Sequence, residues 1–348
     1  MIPIITYAQH EEHAPEGEVD LKTQIKEDIS HHLQDSHDYH LFNSPDGHPV
    51  GFPLPVILID GGLKVFMSSA FHHDDAATVV VEAGGSKYVK FHNKIYTASD
   101  VADEHGSFVT MDADHHPTNA KPLDFSITKN VFNIIGISML LFWIVRKAAK
   151  NYKTSLVPSG AAKFFEPIII FVRDEIAIPN IGEKNYKRYM SYLLTVFFFI
   201  WLVNLFGLTP LGINITNSIA VTFALAMITF FITLFSAKKN YWMHIFWMPG
   251  VPVPMKIILA PIELLGVFIK PFALMIRLYA NITAGHVVLM SLLSLIFIMQ
   301  SWILSPLPFL LTFALSLLEL LVAALQAYIF TMLSALYFGS AVEEGDHH

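Results

Sequence analysis

From about Met255 to Leu304 the chain is one long apolar run with few charges, and Arg277 stands inside it. Residues 270–287 read KPFALMIRLYANITAGHV. At ~1.5 Å per helical residue the run is about twice the ~30 Å thickness of a bilayer's hydrocarbon core. It therefore has to tilt steeply, kink at Pro261 or Pro271, or begin with a re-entrant piece. An arginine does not shed its proton at ordinary pH. Placing one near a bilayer centre costs at least ~2.5–3.5 kcal/mol on insertion scales. A snorkelling arginine at a helix end would escape that cost, but apolar chain extends well beyond Arg277 on both sides. The charge therefore calls for a partner or a task.

The remainder of the sequence agrees with a membrane chain. Of 348 residues, 53% are hydrophobic, and the mean hydropathy is +0.49. The long apolar runs lie after residue 126. The expected class is an all-α polytopic membrane protein with about five membrane-crossing helices, the last two long and tilted. An N-terminal extramembrane extension with β-hairpins precedes them. The expected division is residues 1–125 as extension, 126–342 as membrane domain and 343–348 as an acidic tail. The formal net charge of −7 resides mostly in the extension and tail and argues against nucleic acid as a partner. There are no cysteines, hence no disulfide framework or thiolate chemistry.

In the extension, Tyr7-Ala8-Gln9 resembles the end of a cleaved export signal. An acidic, His-rich stretch follows from Glu11 to His48, in which Leu21, Ile25, Ile29 and Leu33 recur every four residues and predict a short amphipathic helix. PVILID-GG-LKVFM and YVKF-HN-KIYTA predict two hairpins between Val50 and Met111. The first span is expected at about Ile127–Val145. Arg146, Lys147, Lys150 and Lys153 beyond it mark the cytoplasmic side. The extension is then extracytoplasmic. Phe164 to Ile178 suits an amphipathic helix on the cytoplasmic face. Further spans are expected at about Met190–Phe206 and Ile219–Phe235, followed by the long run and a last segment from Phe309 to about Tyr337. Five crossings leave the C-terminus cytoplasmic.

The last two segments hold an unusual set of polar residues. Glu263, Lys270, Arg277 and Asn281 fall on one side of a single helix. His286, nine residues past Arg277, points to the opposite face about 13 Å further along. In the final segment Glu319 and Gln326, seven apart, share a face. Folding the hairpin about Pro306 places Glu319 near the depth of residue 292 and Gln326 near Asn281 and Arg277. A histidine and a glutamate at similar depth in adjoining spans are a candidate proton relay. Ala280, Ala284 and Gly285 beside the arginine allow close approach of another helix, one that supplies a carboxylate.

These residues resemble subunit a of the membrane sector of rotary (F-type) ATP synthases. The resemblance is carried by residues 277–286, RLYANITAGH, by Lys270-Pro271, by residues 325–330, LQAYIF, and by residues 204–210, NLFGLTP. It covers roughly residues 126–342. It implies a stator subunit beside a ring of c subunits, each with a buried carboxylate, held by peripheral stalk b subunits in a bacterial inner membrane. It implies ion translocation without catalysis by the chain alone and without a cofactor. His286, Glu319 and Gln326 would line an outward half-channel and Glu263 the cytoplasmic one, with Arg277 separating them. Members carry His or Glu at position 286 and the reciprocal residue at 319. Residues 1–125 depart from the compact family pattern.

Two other readings compete. A secondary transporter using Arg277 to bind an anionic substrate predicts inverted repeats with matching broken helices, and no second copy of the arginine stretch is present. The extension, with thirteen of the seventeen histidines, suggests a metal-binding module, against a plainer reading as a solvated, acidic surface.

Overall fold

The computed structural model of the chain describes residues 35–43, 49–103, 106–112, 116–154, 160–209, 215–247, 252–299 and 306–343. The expected helix over Leu21–Leu33, the export signal near Ala8 and the tail after Glu343 lie outside those residues.

The extension is built from short antiparallel strands. β1 (Asp38–Asn43) pairs with β2 (Pro49–Pro53). β3 (Pro55–Ile59) and β4 (Leu63–Met67) form the first expected hairpin around Gly61, whose φ of 63° favours glycine. β5 (Val81–Ala83), β6 (Ser86–Phe91) and β7 (Lys94–Thr97) form a second sheet containing the other expected hairpin. β8 (Leu123–Asp124) joins β3, giving the order β4-β3-β8. Val56, Leu58, Phe71, Tyr88 and Ile95 close one small core. At its edge the Lys90 ammonium pairs with Asp38 at 2.9 Å, and the Ser68 hydroxyl donates to the other Asp38 oxygen at 2.6 Å. The buried charges thus have partners, as buried charges require. β1 lies within the acidic, His-rich stretch and carries no strand period of its own; its strand character comes from pairing with β2.

The extension is bonded to the first span. Helix α1 (Lys129–Thr154) starts with the Lys129 amide donating to Ser36 O at 2.9 Å and the Asn130 amide donating to Asp35 at 3.0 Å. The Tyr39 hydroxyl donates to Asn133 at 3.2 Å, and the Tyr39 ring stacks on Phe52, both meeting Phe132 edge-on. His37 Nε2 lies 2.8 Å from Asp124. Burial pushes the Asp124 carboxyl up, but the hydrogen bonds from His37 and Ser126 prevail and hold it below the usual carboxylate range.

Five helices are long and apolar enough to cross a membrane. They are α1, α4 (Tyr186–Gly207), α5 (Ile219–Ser236), α7 (Val253–Met299) and α8 (Pro306–Val342). Between the first two lie α2 (Ala161–Phe171), a π-helical turn (Val172–Ala177) and α3 (Ile178–Ile181). Phe164–Ile178 is helical as expected, with Arg173, Asp174 and Glu175 exposed. It does not merely lie on a surface: Val172, Ile176 and Ala177 are fully buried against the bundle. α6 (Lys239–Phe246) is a short amphipathic helix exposing Trp242 and Phe246.

α7, of 47 residues, is a single helix containing both Pro261 and Pro271. It accommodates its length without breaking. α7 packs on α5 and α8, and α8 on α4. Leu193, Ile200, Leu274, Leu278, Phe330 and Phe338 fill the interior, while both long helices keep apolar faces exposed, as spans facing lipid or another subunit do.

Candidate functional site

The α7–α8 pair brings the polar residues of the two long helices together in register. Asn281 Nδ2 donates to Gln326 Oε1 at 3.0 Å, and Gln326 is 2% exposed. One level further along, Glu319 packs on Gly285: a Cβ there would overlap Glu319 Oε1 and lie 3.3 Å from its Cδ. Glu319 therefore stands opposite residue 285 and not residue 292, about two helical turns from the level expected of a fold about Pro306. Pro306 begins α8 instead of sitting at the turn, and proline is well suited to a first helical turn.

His286 and Glu319 line one cavity with Asn281, Asn204, Gly207 and Thr216. It holds about 30 Å³, against the ~10–15 Å³ that one water needs on the same measure. Thr216 donates to Asn204 Oδ1 at 3.2 Å. Asn204 Nδ2 and Glu319 Oε2 are buried with no partner among the described residues. Two such atoms beside a polar cavity suit bridging water. His286 and Glu319 share the space without a direct hydrogen bond among the described contacts. The Thr283 hydroxyl lies within hydrogen-bond reach of both Tyr279 O, at 2.8 Å, and Asn217 Oδ1 of the short turn Ile215–Asn217, and its one proton goes to one of them at a time. Asn204 appeared in the sequence only inside a motif, and Thr216 carried no signal. Single polar residues near a helix end are too common to stand out.

Toward the other end of α7 lies a second polar group. Glu263 acts electrostatically on Tyr241 of α6, whose phenol is pushed up first by burial and then by that carboxylate. Lys270 Nζ lies 5.5 Å from the centre of the Tyr337 ring. Tyr337 of α8 thus meets that cation across the helix interface, a contact invisible in a sequence where it closes an apolar run.

Arg277 lies between the two polar groups, half-buried. Among the described residues no carboxylate reaches within ion-pair distance of it. Ala273, Ala280 and Ala284, four before, three after and seven after Arg277, share its side of the helix and are exposed. The arginine therefore opens onto a strip where another helix can approach closely.

The family described as ATP synthase A chain matches residues 131–339. The chain belongs to this family. Its relatives include ATP synthase subunit a 2 of Chlorobaculum tepidum, 44% identical over 237 residues, covering 65% of this chain and 66% of that one. ATP synthase subunit a of Anaeromyxobacter dehalogenans is 45% identical over 237 residues, covering 65% and 61%. ATP synthase subunit a of Myxococcus xanthus is 44% identical over 232 residues, covering 65% and 76%. The chain spans just under two thirds of the length of the first of these relatives. The match favours the ATP synthase reading over the anion-transporter alternative. Residues 28–125 match a separate family, described as Domain of unknown function (DUF8433). Among the described residues no group of three or more His, Asp or Glu side chains is arranged to hold a metal ion, so the metal-module reading gains no support there.

Proposed function

We propose that the chain is the proton-channel stator of a rotary ATP synthase in a bacterial inner membrane. It offers two offset half-channels to and from the carboxylates of a c-ring and couples proton movement to ring rotation and ATP synthesis. Peripheral stalk b subunits hold it against that rotation. The extension faces outward and the C-terminus lies in the cytoplasm.

The cavity that gathers His286, Glu319, Asn281 and Asn204 carries this reading. It holds water-sized space beside an acid, a base and two amides, within a helix pair that is otherwise apolar. A carboxylate and an imidazole there pass a proton between them through water, and Gln326, tied to Asn281, continues the polar path toward Arg277. Glu263, with Tyr241 and Lys270, opens the cytoplasmic side. Between them Arg277, facing an open strip of alanines, takes a ring carboxylate as its missing partner.

The physics of a separator follows. A carboxylate opposite a fixed guanidinium is favoured as the anion, so it releases its proton before passing. In lipid the same carboxylate must be neutral. The permanent charge of Arg277 repels protons hopping directly between half-channels, and the driving force is ~2.3 kcal/mol per charge per 100 mV.

A double-mutant cycle on passive proton flux, in vesicles stripped of the soluble catalytic head, tests the outward path. His286→Ala and Glu319→Ala each slow entry. His286→Glu alone sets two carboxylates in one cavity. Adding Glu319→His restores part of the lost rate. Strict additivity would mean that the two residues do not act as a pair.

A further inference from the structure

The extension presents to the outside a sheet face that its own fold leaves bare. In the β4-β3-β8 sheet, Ile59 stands opposite both Leu63 and Leu123, Ile57 opposite Val65, and Pro55 opposite Met67. Directly opposed residues share a face. The alternate residues Val56 and Leu58 are fully buried in the core. An antiparallel sheet with one packed face ordinarily turns polar residues to water on the other. Here the outer face is apolar throughout: Leu63 is 71% exposed, Val65 60%, Leu123 65% and Phe125 63%, with Met67 and Ile59 also exposed. Contiguous apolar surface of this kind marks a contact site.

We propose that this face rests on the bilayer, in the headgroup and upper acyl region of the leaflet that α1 enters. Its position in the chain argues for lipid. Strand β8 leads from the patch directly into the membrane. After Phe125 the backbone turns a corner, the Thr128 amide donating to Ser126 O at 3.1 Å, and α1 begins at Lys129. The exposed Val131, Phe132 and Ile135 then open the lipid-facing surface of α1. Three residues separate Phe125 from Lys129, so the patch lies within at most ~14 Å of that helix. The junction is held tightly, through Ser36 on Lys129, Asp35 on Asn130 and Tyr39 on Asn133. The patch therefore stays beside the membrane surface and does not swing on a tether. It also lacks the polar side chains that fix a protein partner's register, whereas an apolar face dipping into the interface needs none. This placement goes beyond the proposed proton path and does not depend on it.

The absence of native cysteines makes the test direct. Val65→Cys and, separately, Leu123→Cys are labelled with an environment-sensitive fluorophore in the full chain. Lys94→Cys, at an exposed position on β7, serves as reference. The chain is reconstituted in vesicles of phosphatidylethanolamine and phosphatidylglycerol. Nitroxide lipids labelled high on the acyl chain should quench the Val65 and Leu123 probes severalfold more than the Lys94 probe, and aqueous iodide should show the reverse order. Iodide quenching of all three probes alike would show an open face and overturn the proposal. Shielding of Val65 and Leu123 from both quenchers would assign the face to protein, either residues 1–34 or a second copy, and would equally overturn it.

Discussion

At the scale of single residues, Gly285 and Asn281 decide how the polar set of the two long helices fits. A Cβ at Gly285 would take the place of a Glu319 oxygen. Gly285→Ala should therefore displace that carboxylate and lower passive proton flux roughly tenfold, the equivalent of about 1.4 kcal/mol on the barrier. Unchanged flux would show that the position of Glu319 is immaterial. Asn281→Ala leaves the Gln326 Oε1 buried and unbonded, which should cost ~1–3 kcal/mol of stability in thermal unfolding of the detergent-solubilised chain. In the extension, Asp124 titrates below its ordinary range. Its stabilising contribution is therefore complete above the unfolded carboxylate pKa of ~3.9 and is lost as pH falls through the lower folded value. Wild type should exceed Asp124→Asn in unfolding temperature by a constant margin at neutral and mildly acidic pH. That margin should shrink below about pH 4. Arg277, Glu263, His286, Glu319 and Gln326 were legible in the sequence because a charge or amide in a long apolar run has no inexpensive explanation. Asn204, Thr216 and Tyr337 were not, because what singles them out is the cavity or cation they meet across a helix interface.

At the scale of elements, apolar run length revealed all five spans, and alternation with turn residues revealed both expected hairpins. What escaped were features set by tertiary contact. Strand β1 exists through its pairing with β2. The register of α7 and α8 shows only in the contacts between them, Asn281 with Gln326 and Gly285 with Glu319. The π-helical turn Val172–Ala177 has no signature of its own, and the segment it belongs to docks on α8. There Gly339 lies so close to Asn180 that any Cβ would collide with its backbone carbonyl. Backbone cannot move aside as a flexible side chain can. Gly339→Val should cost at least ~1–3 kcal/mol by overpacking, read as a lower unfolding temperature of the solubilised chain. A full-strength transition in that variant would mean the α3–α8 contact is not part of the stable fold.

At the scale of the whole molecule, two matched families meet at a short junction. The extension has its own cores, built around Tyr88 and around Val89, and should unfold cooperatively as an isolated fragment of residues 28–125, which keeps β8 in its sheet; a gradual, featureless melt would contradict that division. The membrane part places an acid, a base and their amides on one side of Arg277 and Glu263 with Lys270 on the other. The stator account rests on the arginine between them. Its most direct test is ATP-driven acidification of vesicles containing the assembled complex with Arg277→Ala. Coupled pumping should be abolished while the complex still purifies with its c-ring. Arg277→Lys should restore little, since lysine can deprotonate in a dry site and lacks the planar fork. Normal acidification by Arg277→Ala would contradict the account.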